Sequence, residues 1–318
     1  MSAPFANARP SGLPRRNPVA VWIEAERERG PIEEAVHRAG GVVAPLEQAQ
    51  AIIWAADRPR DLEAVLHARI EWVQLSSAGI EDWFLSGVID EDRQWTAAKG
   101  VYAGPIAEYI VAMLLAATRR LPEVIRQQRW TPLDVRVLSE ATVGIVGAGG
   151  IGGAVLDLLR PFGARTLAVT RNGRPISGAD VSMGPDQIDE VISESDFLVL
   201  AAPETPETRG LISAAQLDRM RPGAWLINVG RGALVDTDAL VAALSEGRLG
   251  GAVLDVTDPE PLPDDHPLWD LPNAIITAHT ANTHRLGAQA FAARVHENVQ
   301  RFTRGAPLLG LVDPQLGY

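Results

Sequence analysis

Gly147, Gly149 and Gly152 stand as G-x-G-x-x-G between a short apolar run, Val143, Ile145 and Val146, and a set at helical spacing, Ile151, Val155, Leu158 and Leu159. The hydrophobic period changes from that of a strand to that of a helix at the glycines. In such a turn the first glycine permits the bend, the second lets the backbone approach a pyrophosphate, and the third lets the helix lie close on the strand. Unpaired N–H groups and the helix dipole then face the phosphates. A glycine pattern alone would also suit a flexible turn. Following a strand and opening a helix, it predicts a dinucleotide site with Gly147, Gly149, Gly150, Ile151 and Gly152 along the phosphates.

Three ionisable residues follow later strands. Arg231 comes after Ile227-Asn-Val-Gly230, Glu260 lies a short way past Asp255, and His279 directly follows the last predicted strand. All three fall on the C-terminal edge of one sheet, where the nicotinamide end of a dinucleotide lies. Taken singly, each also has an ordinary reading: a surface arginine before a helix, one acid in the solvated run TDPEPLPDD, and a turn histidine. No metal is expected. His279 and His284 lack the i, i+4 spacing of a zinc helix, and Asp258, Asp264 and Asp265 sit in a Pro-rich loop without a calcium-loop pattern.

The elements that must position these residues alternate. Strands are predicted at Val19 to Ile23, near Val42 and Ile52, and at Trp72 to Leu75, with helices at Pro31 to Ala39 and around Leu62, Val65 and Leu66. They predict a small parallel α/β domain, which is expected to be flavodoxin-like. Its last predicted strand runs into Ser76-Ser77-Ala78-Gly79-Ile80, a small-residue turn at the edge where open α/β sheets bind ligands. Ser77 lacks the G-x-S-x-G elbow of a hydrolase nucleophile. A long helix is predicted from Pro105 to Leu121, apolar on one face through Ile106, Ile110, Met113, Leu114 and Ala117 and on the other through Val111 and Leu115. Such a helix needs cover on both faces, from two domains of one chain or from a homodimer, and the dimer is preferred.

Past the glycine unit, strands at Phe197 to Ala201, Ala224 to Asn228, Gly251 to Val256 and Ala274 to Thr277 alternate with helices at Ser213 to Met220 and Thr237 to Ser245. That order suits a doubly wound parallel sheet of Rossmann type. A final helix, Arg285 to Arg304, is expected to cross back to the first domain. The expected division is a disordered tail at 1–17, a substrate domain at 18–102 plus 285–318, and a dinucleotide-binding domain at 103–284. Two chain crossings between them predict closure over a substrate.

With 318 residues, 46% hydrophobic and 22% charged, the chain is long enough for two cores. Its net charge of −11 and lack of a basic block argue against nucleic acid or an anionic membrane as partner. No cysteine is present, which excludes disulfides and thiolate chemistry. The first residues, rich in Pro, Arg and Ser without an apolar core, predict a tail on a cytoplasmic protein.

The sequence resembles the D-2-hydroxyacid dehydrogenase family over nearly its whole length after the tail. The resemblance is carried by the glycine unit, Pro203-Glu-Thr-Pro-Glu-Thr208, Ile227-Asn-Val-Gly-Arg-Gly-Ala-Leu-Val-Asp236, Leu254-Asp-Val256 leading to Pro259-Glu-Pro-Leu-Pro263, and Thr277-Ala-His279. It implies that Arg231 binds the substrate carboxylate and polarises the 2-oxo group, that His279 is the acid-base group, and that Glu260 holds it. Ala78 and Gly79 look like the backbone cradle for the carboxylate. Asp255 looks like the residue that orients the nicotinamide carboxamide, and Ala202, Pro203, Thr208, Val229 and Gly230 like further cofactor-lining positions. The chemistry is consistent. Hydride moving onto a ketone leaves an alkoxide, which a fixed guanidinium stabilises, and a histidine paired with a carboxylate is suited to deliver the proton. Three departures concern pocket shape: Ala278 replaces the usual proline, Thr280-Ala-Asn282 replaces Ile-Ala-Gly or Ile-Ala-Ser, and Glu81 replaces an aspartate.

The implied activity is interconversion of 2-oxo and 2-hydroxy acids with a nicotinamide cofactor, on glyoxylate, hydroxypyruvate or a related acid. A cofactor-sensing interaction protein, like the corepressors that resemble this family, is the alternative from another class; a methyltransferase fits the glycines less well. Trp54, Tyr102 and Trp130 are assigned to packing rather than to the pocket. Cofactor choice is read at the end of the second strand of the glycine unit. An acidic residue there holds the ribose hydroxyls and repels a 2′-phosphate. Thr170 stands in its place, with Arg171 and Arg174 across an Asn172-Gly173 turn, so NADP(H) is expected over NAD(H).

Overall fold

A computed structural model describes residues 18–25, 29–56 and 58–314 of the chain. The expected tail at 1–17 lies outside them. The described residues divide into two compact units, those up to Tyr102 together with those from His284 on, and Ala103–Thr283.

In the first unit the aliphatic runs become parallel strands β1 (Ala20–Glu24), β2 (Val42–Val43), β3 (Ala51–Trp54), β4 (Trp72–Leu75) and β5 (Gln94–Thr96). Helices α1 (Arg29–Arg38), α2 (Pro59–Val65) and α3 (Glu81–Leu85) connect them. The strand order β2-β1-β3-β4-β5 is that of a flavodoxin-like sheet. β3 and β4 are buried along their whole length, because helices cover both faces of a parallel sheet.

The second unit opens with α4 (Ala103–Thr118) and α5 (Leu121–Gln127) and then builds β6 (Thr142–Val146), α6 (Gly150–Leu159), β7 (Arg165–Val169) and β8 (Val181–Met183). It continues through α7 (Ile188–Glu194), β9 (Phe197–Leu200), α8 (Ala214–Arg219), β10 (Trp225–Asn228), α9 (Thr237–Ser245), β11 (Gly251–Leu254) and β12 (Ala274–Ile276). The sheet order β12-β11-β10-β9-β6-β7-β8 is doubly wound: the chain builds outward from β6 in one direction, returns, and builds outward in the other from β9. The crevice at that reversal is where such sheets bind ligands.

The last helix, α10 (His284–Arg304), belongs to the first unit. Phe291, Val295 and Val299 pack with Ile23, Ile53 and Trp72 in one core. A buried polar link ties the same helix to the sheet: Asn298 Nδ2 donates to Gln74 Oε1 at 2.8 Å, which also accepts from Thr96 Oγ1 at 2.9 Å.

The sequence reading needs correction at several places. The long helix ends at Thr118, not Leu121, because Arg120 takes a left-handed φ of 52° and Pro122 opens a separate helix. Its second apolar face is largely covered within the unit, since Val111 and Leu115 pack on the same core as Ile110 and Leu114. Trp130, expected in packing, is 100% exposed on this chain, whereas Trp54 is buried and Tyr102 donates to Ser76 O at 2.5 Å. The short elements α3, α5, α7, β5 and β8 carried no period long enough to read.

Candidate active site

The glycine turn meets each demand that a pyrophosphate would make. Gly147 has φ 90°, and a Cβ there would lie 2.5 Å from the Ala202 amide nitrogen, so only glycine fits. At Gly149, the N-cap of α6, a Cβ would meet nothing within 4 Å, and that open space is where a phosphate can approach the backbone. At Gly152 a Cβ would come within 3.0 Å of Gly147 O and 3.1 Å of Ile145 Cγ2, which is the close helix-on-strand contact. Gly150 and Ile151 begin the helix, where amide groups lack intrahelical acceptors.

From this turn a cleft of about 450 Å³ runs to the end of β7, lined among others by Gly147, Gly149, Thr170, Arg171, Arg174 and Pro203. Thr170 Oγ1 donates to Arg174 O at 3.0 Å and Asn172 Oδ1 accepts from Arg174 N at 3.2 Å, closing a turn around Gly173 at φ 68°. Both arginines thus stand on a built loop rather than a loose one. Glu207, to which the sequence reading gave no role, interacts with Arg171. Its carboxyl is held below the ordinary range, first by a hydrogen bond from Thr205, then by its own backbone amide, with a smaller contribution from Arg171. The Thr208 hydroxyl donates to Pro203 O and accepts from Thr205 N, both at 2.7 Å, so it shapes the turn that walls the cleft.

The ionisable residues lie farther along the same sheet edge. Asn228, Leu254 and Ile276 are aligned across β10, β11 and β12, so the segments following these strands start side by side, about 4.8 Å apart per strand. After β10, buried Asn228 clamps the turn that carries Arg231: Nδ2 donates to Arg231 O at 2.8 Å and Oδ1 accepts from Gly230 N at 3.0 Å. Val229 donates to Leu200 O, and Gly232 is pressed so close to the β11 side that a Cβ would fall 2.0 Å from Thr257 C. Arg231 is half-buried there.

After β12 the backbone turns sharply at His279, whose φ of 51° is left-handed and costs about 1–3 kcal/mol in a non-glycine residue. Such a conformation persists only if its surroundings over-determine it. Asp255, 3% exposed, supplies much of that constraint: its Oδ1 accepts from Thr280 N at 2.8 Å, its Oδ2 from Ala281 N at 3.0 Å, and its backbone O from His279 N at 2.9 Å. Held this way, His279 places Nδ1 2.7 Å from Glu260 Oε1, with both side chains about half exposed. The structure therefore brings Glu260 and His279 into contact and sets Arg231 and Asp255 on the same edge. Ala78 and Gly79 lie in the other unit, just past β4, Ala78 exposed and Gly79 half-buried. Among the described residues no cluster of three His, Cys, Asp or Glu could hold a metal.

A doubly wound sheet with a glycine cradle at its reversal and a histidine-carboxylate pair on the same edge defines a nicotinamide-dependent oxidoreductase. Residues 111–281 match the family described as D-isomer specific 2-hydroxyacid dehydrogenase, NAD binding domain. The chain is 37% identical over 221 residues to a Mus musculus glyoxylate reductase/hydroxypyruvate reductase, covering 67% of each protein. It is 32% identical over 303 residues to glyoxylate/hydroxypyruvate reductase A of Serratia proteamaculans, covering 87% of this chain and 95% of that protein. A solved D-isomer specific 2-hydroxyacid dehydrogenase from Xanthobacter autotrophicus, in complex with NADPH and MES, superposes with a TM-score of 0.83 at 27% identity, covering 95% of this chain and 100% of that one. The chain belongs to the D-isomer specific 2-hydroxyacid dehydrogenase family and is an NAD(P)-dependent 2-hydroxyacid dehydrogenase/reductase.

Proposed function

We propose that the protein reduces a small 2-oxo acid of the glyoxylate and hydroxypyruvate class to the D-2-hydroxy acid with NADPH. The observation that carries this reading is the 2.7 Å contact of His279 with Glu260 on the edge that also holds Arg231. When bound, the reduced nicotinamide supplies the hydride. Arg231 grips the substrate carboxylate and lies beside the oxygen on which charge develops. Glu260 engages Nδ1 of His279, which orients the ring so that Nε2 delivers the proton to that oxygen. Gly147, Gly149, Gly150, Ile151 and Gly152 receive the pyrophosphate. Ala202, Pro203, Thr208, Val229, Gly230 and Asp255 line the path to the nicotinamide, and Ala78 and Gly79 offer backbone donors to the carboxylate. The names of the mouse and Serratia relatives support the substrate class, and give no support to an interaction protein without turnover. Steady-state kinetics with glyoxylate, hydroxypyruvate, pyruvate and phenylpyruvate test it: the first two should give the highest kcat/KM, and a preference for phenylpyruvate would overturn the assignment.

Cofactor preference rests on Thr170, Arg171 and Arg174. No carboxylate ends β7 to repel a 2′-phosphate, and two exposed guanidiniums flank the cleft where it would lie. The NADPH bound to the Xanthobacter relative supports the same choice. The expected result is a higher kcat/KM with NADPH than with NADH, reduced by Arg171→Ala and by added salt, because exposed charge contacts are screened. A higher kcat/KM with NADH in the unmodified protein would refute this.

The protein is further proposed to act as a homodimer in the cytoplasm. Among the described residues no helix is long and apolar enough to cross a membrane. Leu121, Val124, Ile125 and Trp130 give α5 and the segment after it an exposed apolar surface, Ile125 at 75% and Trp130 at 100%, of the kind a partner covers. Sedimentation at micromolar concentration should give twice the chain mass of 34.1 kDa; a single-chain mass would exclude the dimer.

A further inference from the structure

Tyr109 lies on α4, far from the motifs that carry the chemistry, yet its hydroxyl is 2.8 Å from Thr277 Oγ1. Thr277 Oγ1 in turn donates to Asp255 Oδ1 at 2.5 Å. A threonine hydroxyl has one hydrogen, and Asp255 takes it, so the direction of the chain is settled: Tyr109 O–H donates to Thr277, and Thr277 donates to Asp255. The same carboxylate receives Thr280 N and Ala281 N. Residues on both sides of His279 are therefore tied to one buried acid, while His279 itself is left-handed and its own amide bonds to Asp255 O and Thr277 O.

We propose that Tyr109 is a positioning residue for the reaction, fixing the Thr277 hydroxyl and through it the Asp255 carboxylate that holds His279 in its left-handed turn. Without the tyrosine donor, Thr277 Oγ1 loses the partner that pins its rotamer, and the Thr277–Asp255 bond competes with other orientations of the hydroxyl. Asp255 then grips one side of the histidine turn less firmly than the other. Tyr109 is suited to the task because α4 packs on α6, the helix that begins at the glycine cradle, so one rigid element refers the histidine turn to the cofactor-binding end of the unit. Burial pushes the Tyr109 hydroxyl up to about 12, against a smaller lowering by Thr277, so it remains a donor throughout the range in which such an enzyme works.

This inference rests on the reading of His279 as the acid-base group, and the experiment separates the two. Tyr109→Phe keeps the ring and removes the donor. Its kcat should fall roughly tenfold, within the limit of about 10²-fold that a misplacement of about 1 Å costs, while KM for the 2-oxo acid, gripped by Arg231 on a turn that Asn228 holds separately, stays within about twofold. Thr277→Val should lower kcat at least as far, and Thr277→Ser, which restores a hydroxyl, should recover most of that loss. The double variant Tyr109→Phe, Thr277→Val should be no slower than Thr277→Val alone, since both act through one chain of bonds. His279→Ala is measured beside them. If it is inactive while Tyr109→Phe and Thr277→Val keep the wild-type kcat, the positioning role fails and the function stands. Additive losses in the double variant would also overturn the role. If His279→Ala keeps its rate, the functional reading fails instead.

Discussion

Replacing His279 by alanine is expected to lower kcat by about 10²- to 10⁴-fold, the range typical of a positioned general acid. The size of the loss follows from how little else can deliver the proton. Glu260 is 2.7 Å from Nδ1 and engaged with the ring, and Asp255 is buried with its oxygens committed to Thr280, Ala281 and Thr277. Water reaching the vacated space would have to serve, unheld. Because the histidine side chain is about half exposed, its removal leaves no large cavity, and the variant should fold and bind cofactor as the parent does. Glu260→Gln should act in the same direction and more weakly, because glutamine keeps an oxygen facing Nδ1 without the charge. Single-turnover measurement of cofactor oxidation checks both. Near-parental rates in folded, cofactor-binding His279→Ala would remove the assignment.

Arg231→Ala is expected to lose about 2.7–4 kcal/mol of transition-state stabilisation, by analogy with removal of one oxyanion-hole donor, or about 10²- to 10³-fold in kcat. A further loss should show in KM, because the same guanidinium is assigned the substrate carboxylate in the ground state. Lysine should rescue poorly. It restores charge but not the planar fork that meets a carboxylate at two points. The backbone under Arg231 is secured independently of the side chain, by Asn228 bonding to Arg231 O and Gly230 N and by the close fit of Gly232 against Thr257. The effect is therefore expected on chemistry and substrate binding rather than on folding, and thermal unfolding of the variant within a few degrees of the parent is the control. Unchanged kcat and KM for the 2-oxo acid would show that another group bears the developing charge.

The sequence by itself determined what depends on short-range pattern. The β6–α6–β7 unit is legible because strand, glycine turn and helix follow one another directly, and each glycine answers a steric demand made within a few residues or by the next strand. Parallel strands buried on both faces leave continuous apolar runs, so β4, β9 and β10 could be placed closely. Arg231, Glu260 and His279 were traceable to one edge because they follow successive strands, and strands of a doubly wound sheet all point the same way.

Tertiary structure alone decided the rest, for reasons that lie outside any window of sequence. Pro122 marks locally that the helix carrying Tyr109 must stop, but not that it stops at Thr118, since an arginine in a left-handed conformation, Arg120, and not a glycine, follows its end. Trp130 looks like core by composition and is fully exposed on this chain. Strands as short as β5 and β8 exist because neighbouring strands offer them a ladder, not because three residues prefer it. The site shows the same division. Its charged groups are named in the sequence, but the left-handed turn that aims His279, the buried carboxylate that holds that turn, and the tyrosine 168 residues away from Thr277 that steadies it are fixed by hydrogen bonds whose partners meet only once the chain has folded.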